Sequence, residues 1–425
     1  MKLCVVGLGY IGLPTSAMFA KYSADVVGVD VSSEVIDKLN RGEIHIEEYG
    51  LANIIKNVVK SGKFKASLTP EKADAFIIAV PTPNIDDEHR SCDLTHVLNA
   101  TESIMPFVEK GSVIIVESTI APRTMDDYVR PIIEKAGFTI GKDIYLSHCP
   151  ERVLPGKILH ELIHNNRIIG GMTPACAEAS AEIYRLFVEG EIVLTTARTA
   201  EMSKLMENTF RDVNIALVNE LTKICNHLEV NVIDVIKMAN KHPRVNLHQP
   251  GPGVGGHCLA VDPNFIYSKS PDLANIIKLS RETNDSMPQY VVDNVKKLLK
   301  DVDNPKIAAL GVTYKGNVDD MRESPAMDVI HMLMGDGFEV SLHDPHVSSD
   351  KYQFVSAEES VTDADLAIIL SDHDEFKRMD YNLLAEKMRK PVLFDTRNCV
   401  KSDITVCDKM EIINFGNLHK FITSS

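Results

Sequence analysis

The sequence predicts an α/β chain of two doubly wound, Rossmann-like domains joined by a long central helix, on three observations. A short apolar run, Lys2–Val6, leads into the turn Gly7-Leu8-Gly9-Tyr10-Ile11-Gly12. From Thr199 to Leu228 apolar residues recur at three- and four-residue steps, the period of a helix. A second alternation of strands and helices opens at Lys306, after the charged linker Lys296–Pro305. At 425 residues the chain is too long for one core, and these signals divide it into segments 1–195, 196–300 and 301–425.

In the first segment the strand at 2–6, the glycine turn and a helix to about Tyr22 precede a strand from Asp25 to Val29, which ends in Asp30. Gly7, Gly9 and Gly12 let a pyrophosphate approach the backbone at a helix N-terminus, and Asp30 is placed to take ribose hydroxyls. An acid there favours NAD over NADP, because it repels a 2′-phosphate. A glycine-rich turn in some other α/β protein is the plainer alternative. Strands at Ala75–Val80 and Ser112–Glu117 run into Pro81-Thr82-Pro83 and Ser118-Thr119. Ligands bind outside the carboxyl ends of such strands, so Thr82 and Thr119 read either as ligand contacts or as helix caps. A strand near Ile144–Ser147 leads to His148-Cys149-Pro150-Glu151-Arg152-Val153-Leu154-Pro155-Gly156.

In the central helix Met202, Met206, Phe210, Val213, Leu217, Leu221, Ile224 and Leu228 form one stripe, expected to be buried. Glu201, Lys204, Asn208 and Arg211 form another, either a solvated face or a set of groups for an oxyanion and a phosphorylated substrate. Lys241-His242-Pro243-Arg244 then adds cations ahead of the loop Pro250–Pro263, in which four glycines surround Cys258 and Asp262. Such a loop costs chain entropy and buries little, so a thiol four residues before a carboxylate suggests a nucleophile beside an acid/base group. The alternative is a buried, inert cysteine. Residues 272–300 read as helical.

The third segment has strands at Lys306–Gly311, Glu339–His343, Ala367–Leu370 and Val392–Phe394, but no GxGxxG. Lys315 and Arg322 stand in its first crossover, where side-chain cations could hold a nucleotide diphosphate, or could be ordinary surface charge.

The formal charge of −15 offers no basic stripe for a nucleic acid. No apolar run reaches the length of a membrane span, and the N-terminus is too short in apolar residues for a signal peptide. Eight scattered cysteines without a CxxC pair suit reduced thiols in a cytoplasmic protein. A zinc site from His148, Cys149, His257 and Cys258 matches no ligand spacing, and no metal is expected. A dinucleotide domain together with a candidate nucleophilic cysteine points to hydride transfer coupled to covalent catalysis. An alcohol is oxidised to an aldehyde, trapped as a thiohemiacetal, oxidised again to a thioester and hydrolysed.

The order Gly7-x-Gly9-x-x-Gly12, Pro81-Thr82-Pro83, Ser118-Thr119, Pro150-Glu151, Lys204-x-x-x-Asn208, Gly255-Gly256-His257-Cys258 and Arg322-Glu323-Ser324-Pro325 resembles the nucleotide-sugar 6-dehydrogenases over essentially the whole chain. Arg41–Ile46, Cys149–Gly156, Phe210–Asn214 and Lys241–Asn246 resemble the branch that oxidises N-acetylhexosamine nucleotides, UDP-N-acetyl-D-mannosamine first among them. The resemblance implies a four-electron oxidation at C6 serving glycan synthesis, with NAD as cofactor and a UDP-sugar as partner. It implies Cys258 as nucleophile, Lys204 as proton donor and acceptor, Asn208 and Asp262 as supports for oxyanion and water, and Glu151 as an aid to thioester hydrolysis. By the same likeness Tyr10, Ile11, Asp30, Thr82, Thr119 and Arg322 contact NAD. Arg152, Val153, Lys204, Asn208, Arg211, His242, Arg244, Gly255, Tyr314 and Lys315 meet the sugar nucleotide. Arg397 stands where the family often has a lysine. A homodimer or higher oligomer on the central helix is implied as well, with Arg244 reaching the partner's site in some members. Val261 departs from the UDP-glucose members, which carry a lysine before the loop aspartate. The rivals are siblings acting on UDP-GlcNAc, UDP-GalNAc or UDP-glucose, and an NAD-binding sensor with a vestigial site. A missing Cys, Lys or Asn would mark the sensor, and all three are present.

Overall fold

A computed structural model describes residues 1–154, 156–400 and 408–422, so that Pro155 of the Cys149–Gly156 stretch lies outside the described residues. The chain divides into two compact units. One is Met1–Glu207 with Asn264–Pro271; the other is Asn208–Pro263 with the chain from Asp272 onward.

In the first unit the strands are β1 (Lys2–Val6), β2 (Asp25–Val29), β3 (Phe64–Ser67), β4 (Ala75–Ile78), β5 (Val113–Val116), β6 (Tyr145–His148), β7 (Arg167–Gly171) and β8 (Ile192–Thr196). They form one sheet in the order β3-β2-β1-β4-β5-β6-β7-β8, parallel except between β6 and β7. Helices cover both faces, which is why these strands read as unbroken apolar runs rather than alternating ones. The pleat sends Leu3 and Val5 into one core with Leu13, Phe19 and Tyr184, and Cys4 and Val6 into another with Val97, Ile104 and Met125. The sequence signal is weakest for β7 and β8. β7 ends in two glycines and starts with a charged residue, Arg167, that is nonetheless buried.

The second unit has a parallel sheet in the order β10-β9-β11-β12-β13, from β9 (Lys306–Leu310), β10 (Glu339–His343), β11 (Leu366–Ile369), β12 (Val392–Asp395) and β13 (Glu411–Asn414). Its first crossover repeats the wiring of β1 and β2. Gly7, at φ +93°, follows β1, and Leu8 N and Ser32 N each donate to a different oxygen of Asp30 at 3.0 Å. Gly311, at φ +87°, follows β9, and Val312 N and His346 N donate to the two oxygens of Asp344 at 2.9 Å. The difference is a lid. His373 accepts from Asn317 N through Nδ1, so its Nε2 carries the proton and donates to Asp344 at 3.0 Å, and Asp344 is sealed from solvent.

The long helix spans Ala197–His227, as its period predicts, but the expectation of a buried apolar stripe is overturned. Met202, Met206, Phe210, Leu217, Ile224 and Leu228 are exposed, and Val213 and Leu221 half-buried. The buried side of this helix instead includes Glu201, Asn208, Asp212, Asn219 and Thr222. These polar groups are spent on other backbone and side chains. In the first unit Glu201 accepts from Arg123 N and Met125 N, each at 2.8 Å. In the second, Asp212 accepts from Arg281 at 2.6 Å and Asn284 at 2.8 Å, and Asn219 accepts from Gly251 N at 3.0 Å. Periodicity reports which side chains share a face and says nothing of what covers it.

Candidate active site

The glycine turn of the first unit is shaped for a dinucleotide. A Cβ on Gly12 would lie 1.8 Å from Gly7 O, and one on Gly7 2.5 Å from Ala79 O, so both glycines are required by close backbone packing. A Cβ on Gly9 would meet nothing within 4 Å, which leaves the turn open at the residue where a pyrophosphate approaches. The helix behind it, Gly12–Lys21, has no side-chain cap, and Tyr10 beside it is exposed. Asp30 is fixed by its two amides but only half-buried, with lone pairs left for ribose hydroxyls. The residues fit NAD. Thr82 Oγ1 donates to Thr119 O at 2.6 Å, tying the ends of β4 and β5 together. Neither threonine is a helix N-cap, so that alternative falls.

At the end of β6, His148 is completely buried, and its Nδ1 donates to Val116 O at 2.8 Å while Nε2 has no partner among the described residues. Burial pushes its pKa from 6.5 down to about 4, with the Lys204 charge adding to the effect. The unfolded chain therefore binds this proton first. Stability is expected to fall as pH drops from about 6.5 toward 4, by on the order of 3 kcal/mol from this group. Urea unfolding of wild type and His148→Gln at pH 7.5 and 5 tests this; the variant should lose less stability on acidification than the wild type.

Glu151, Arg152 and Val153 follow, each half-buried. Glu151 accepts from Arg152 N at 2.7 Å and from Arg167 Nη2 at 2.6 Å. Arg152 pairs with Glu207 at 2.7 Å. Burial pushes the neighbouring Cys149 thiol up to about 12, so it is a thiol and not a reactive thiolate. Lys204, half-buried on the long helix, belongs to this unit.

In the second unit the glycine loop is clamped by the segment after β9. Gly256, at φ +83°, donates to Glu323 O at 3.2 Å, and a Cβ on it would strike the Tyr314 ring at 2.6 Å. A Cβ on Gly255 would lie 1.9 Å from Glu323 O. Cys258 is exposed, unlike the six other described cysteines, all of them buried. Its carbonyl accepts from Asp262 N at 2.9 Å, and Asp262, itself buried, accepts from Asn208 Nδ2 at 2.6 Å. The inert-cysteine alternative fails on exposure. The zinc reading gains nothing, since among the described residues the grouping within metal-ligand reach is His346, His373 and Glu375. There both His373 nitrogens are already engaged.

Of the remaining site candidates, Arg322 makes a bidentate pair with Asp320 at 2.9 Å, and His257 reaches the same carboxylate at 3.1 Å. Burial opposes ionisation of Asp320, yet these partners hold its pKa down to about 2. The structure thus ties Gly255, Gly256, His257, Tyr314 and Arg322 into one assembly beside Cys258. Arg397 donates to Asp372 at 3.1 Å with its guanidinium against Gly251. Lys315 and Arg211 are exposed, as are His242 and Arg244, whose Nε2 and Nη2 lie 3.5 Å apart. Sequence reasoning passed over Asp320 and the buried set Glu117, Arg167 and Tyr184. A lone arginine opening an apolar strand was the available signal for the latter.

Comparisons with known proteins place the whole chain in one family. Three descriptions of the UDP-glucose/GDP-mannose dehydrogenase family match: its NAD binding domain over residues 1–188, its central domain over 198–286 and its UDP binding domain over 308–402. A UDP-N-acetyl-D-mannosamine dehydrogenase of Methanococcus maripaludis is 48% identical, over 95% of this chain and 94% of its own. The solved UDP-N-acetyl-mannosamine dehydrogenase of Staphylococcus aureus is 60% identical, with a TM-score of 0.93, covering 99% of this chain and all of that one. An NDP-N-acetyl-D-galactosaminuronic acid dehydrogenase of Ralstonia nicotianae is 43% identical over 93% of this chain and 95% of its own.

Proposed function

The chain belongs to the UDP-glucose/GDP-mannose dehydrogenase family and is an NAD-dependent oxidoreductase, and from that premise we propose that it oxidises UDP-N-acetyl-D-mannosamine to the 6-carboxylate. The observation that carries the covalent route is the exposed Cys258 on a clamped glycine loop, four residues before an Asp262 that is fixed to Asn208. The substrate rests on the relatives, together with the branch-like stretches at 41–46, 149–156, 210–214 and 241–246.

In this reading Lys204 takes the proton of the C6 hydroxyl, and Asn208 holds the oxygen that gains charge. NAD, when bound, accepts one hydride in each of two successive oxidations. Cys258 Sγ adds to the aldehyde carbon to give a thiohemiacetal, which becomes a thioester after the second oxidation. A water molecule, aided by Glu151 and Asp262, breaks the C–S bond and returns the thiol. Tyr10, Ile11, Asp30, Thr82, Thr119 and Arg322 serve the cofactor. Arg152, Val153, Arg211, His242, Arg244, Gly255, Tyr314, Lys315 and Arg397 serve the sugar nucleotide. No helix among the described residues is long and apolar enough to cross a membrane. The reaction fits the cytoplasm, with its reduced thiols, and supplies a uronate for a surface glycan.

Two NADH released per UDP-N-acetylmannosamine, with UDP-glucose inert, is the expected result in a spectrophotometric assay. One NADH per sugar would remove the second oxidation. A UDP-N-acetylgalactosamine preference is the second reading, favoured by the Ralstonia likeness, and the same substrate panel decides it. The exposed apolar face of the long helix is the surface on which we place a homodimer, because contiguous apolar area of that kind is seldom left to water. Sedimentation of the purified chain as a monomer at micromolar concentration would overturn it.

A further inference from the structure

We infer that Arg167 is a positioning residue for the hydrolytic half of the reaction, holding the Glu151 carboxylate with Glu117 as the counter-acid on its far side. The inference rests on the proposed role of Glu151.

Arg167 opens β7 and is almost wholly buried. Its Nη2 donates to Glu151 Oε2 at 2.6 Å, and its Nη1 faces Glu117 Oε1 and Cys149 Sγ at 3.5 and 3.6 Å. The guanidinium lies over the Tyr184 ring, 4.4 Å from its centroid. Tyr184 OH donates to Glu117 Oε1 at 2.5 Å, and Thr15 Oγ1 reaches Glu117 Oε2 at 3.5 Å from the helix behind the glycine turn. One cation thus serves two carboxylates in a site nearly closed to water. The partners are unequal, since Glu151 has the short contact and Glu117 the long one.

Burial first, then the Glu151 charge, pushes Glu117 up to about 7 against the pull of Arg167. The short contact makes Glu151 the direct ion-pair partner of Arg167, and the guanidinium fixes that carboxylate in place. Without Arg167, two carboxylates would share a buried site with no cation between them, and Glu151 would lose the group that holds it in place. Arg167 reaches both carboxylates and holds the nearer, Glu151, at 2.6 Å.

The test uses full-length enzyme in single turnovers with NAD and UDP-N-acetylmannosamine, quenched for intact mass. Glu151→Gln and Arg167→Met are both expected to release NADH normally in the burst, yet accumulate an acyl adduct on Cys258. Steady-state turnover should fall about 100-fold. Arg167→Lys keeps the buried charge and guards against misfolding; it should show the same adduct with about a ten-fold loss. NAD affinity should be unchanged in all three. Adduct in Glu151→Gln with none in either Arg167 variant would overturn the inference alone, as would a burst lost together with NAD affinity in Arg167→Lys. No adduct in Glu151→Gln would overturn the Glu151 reading, and the inference with it.

Discussion

Cys258→Ser is expected to lose at least about 10³-fold in acid formation while NAD affinity stays within two-fold of wild type. Serine keeps the size and the hydrogen-bonding character of the residue, so the clamp of Gly255 and Gly256 on Glu323 and Tyr314 should persist. What disappears is a nucleophile able to hold the aldehyde carbon and then leave from it. The assay is steady-state NADH production with product analysis, beside calorimetric titration of NAD. Acid formation within ten-fold of wild type would exclude a covalent thioester. A parallel collapse of NAD affinity would mean that the loop had lost its shape rather than its chemistry.

Asn208→Ala should lower kcat by about 10²–10³ with little change in KM, because a donor aimed at developing negative charge acts on the transition state. Asn208 Nδ2 is pinned at 2.6 Å by Asp262, and both side chains are buried. The two therefore form one unit, and their effects should not add. Asp262→Ala alone leaves Asn208 without its acceptor and is expected to cost a similar factor, whereas the double variant should be little worse than either single one. Full additivity of the two losses would separate Asp262 from Asn208 and leave it serving water alone.

Much of this was legible in the chain. The Gly7–Gly12 turn, the strand after it and Asp30 each follow from local rules, and each lies where those rules place it. The second sheet was legible as strands without a glycine cradle. What escaped depends on partners far off in sequence. The long helix has the expected bounds, but its apolar stripe faces outward, and its buried side mixes apolar residues such as Leu205 and Val218 with polar ones that loops and neighbouring helices draw on for hydrogen bonds. Arg167 reads as a surface residue until Glu117, 50 residues earlier, and Glu151 are brought to its fork. Asp320 carries no local mark at all. It matters through His257, 63 residues before it, and through Arg322.

The lid over Asp344 bears on how two oxidations are run. Asp30 keeps lone pairs available to a ribose, but its counterpart is closed by His373 and stripped of solvent. A chain with two such folds thus offers one seat for a dinucleotide, not two. On the proposed chemistry the reduced cofactor has to be exchanged for a fresh one midway, while a half-oxidised sugar waits. A free aldehyde could escape during that exchange. The thiohemiacetal on Cys258 is then a tether, and the exposure of that thiol is what allows the sugar to stay moored while its oxidant is replaced.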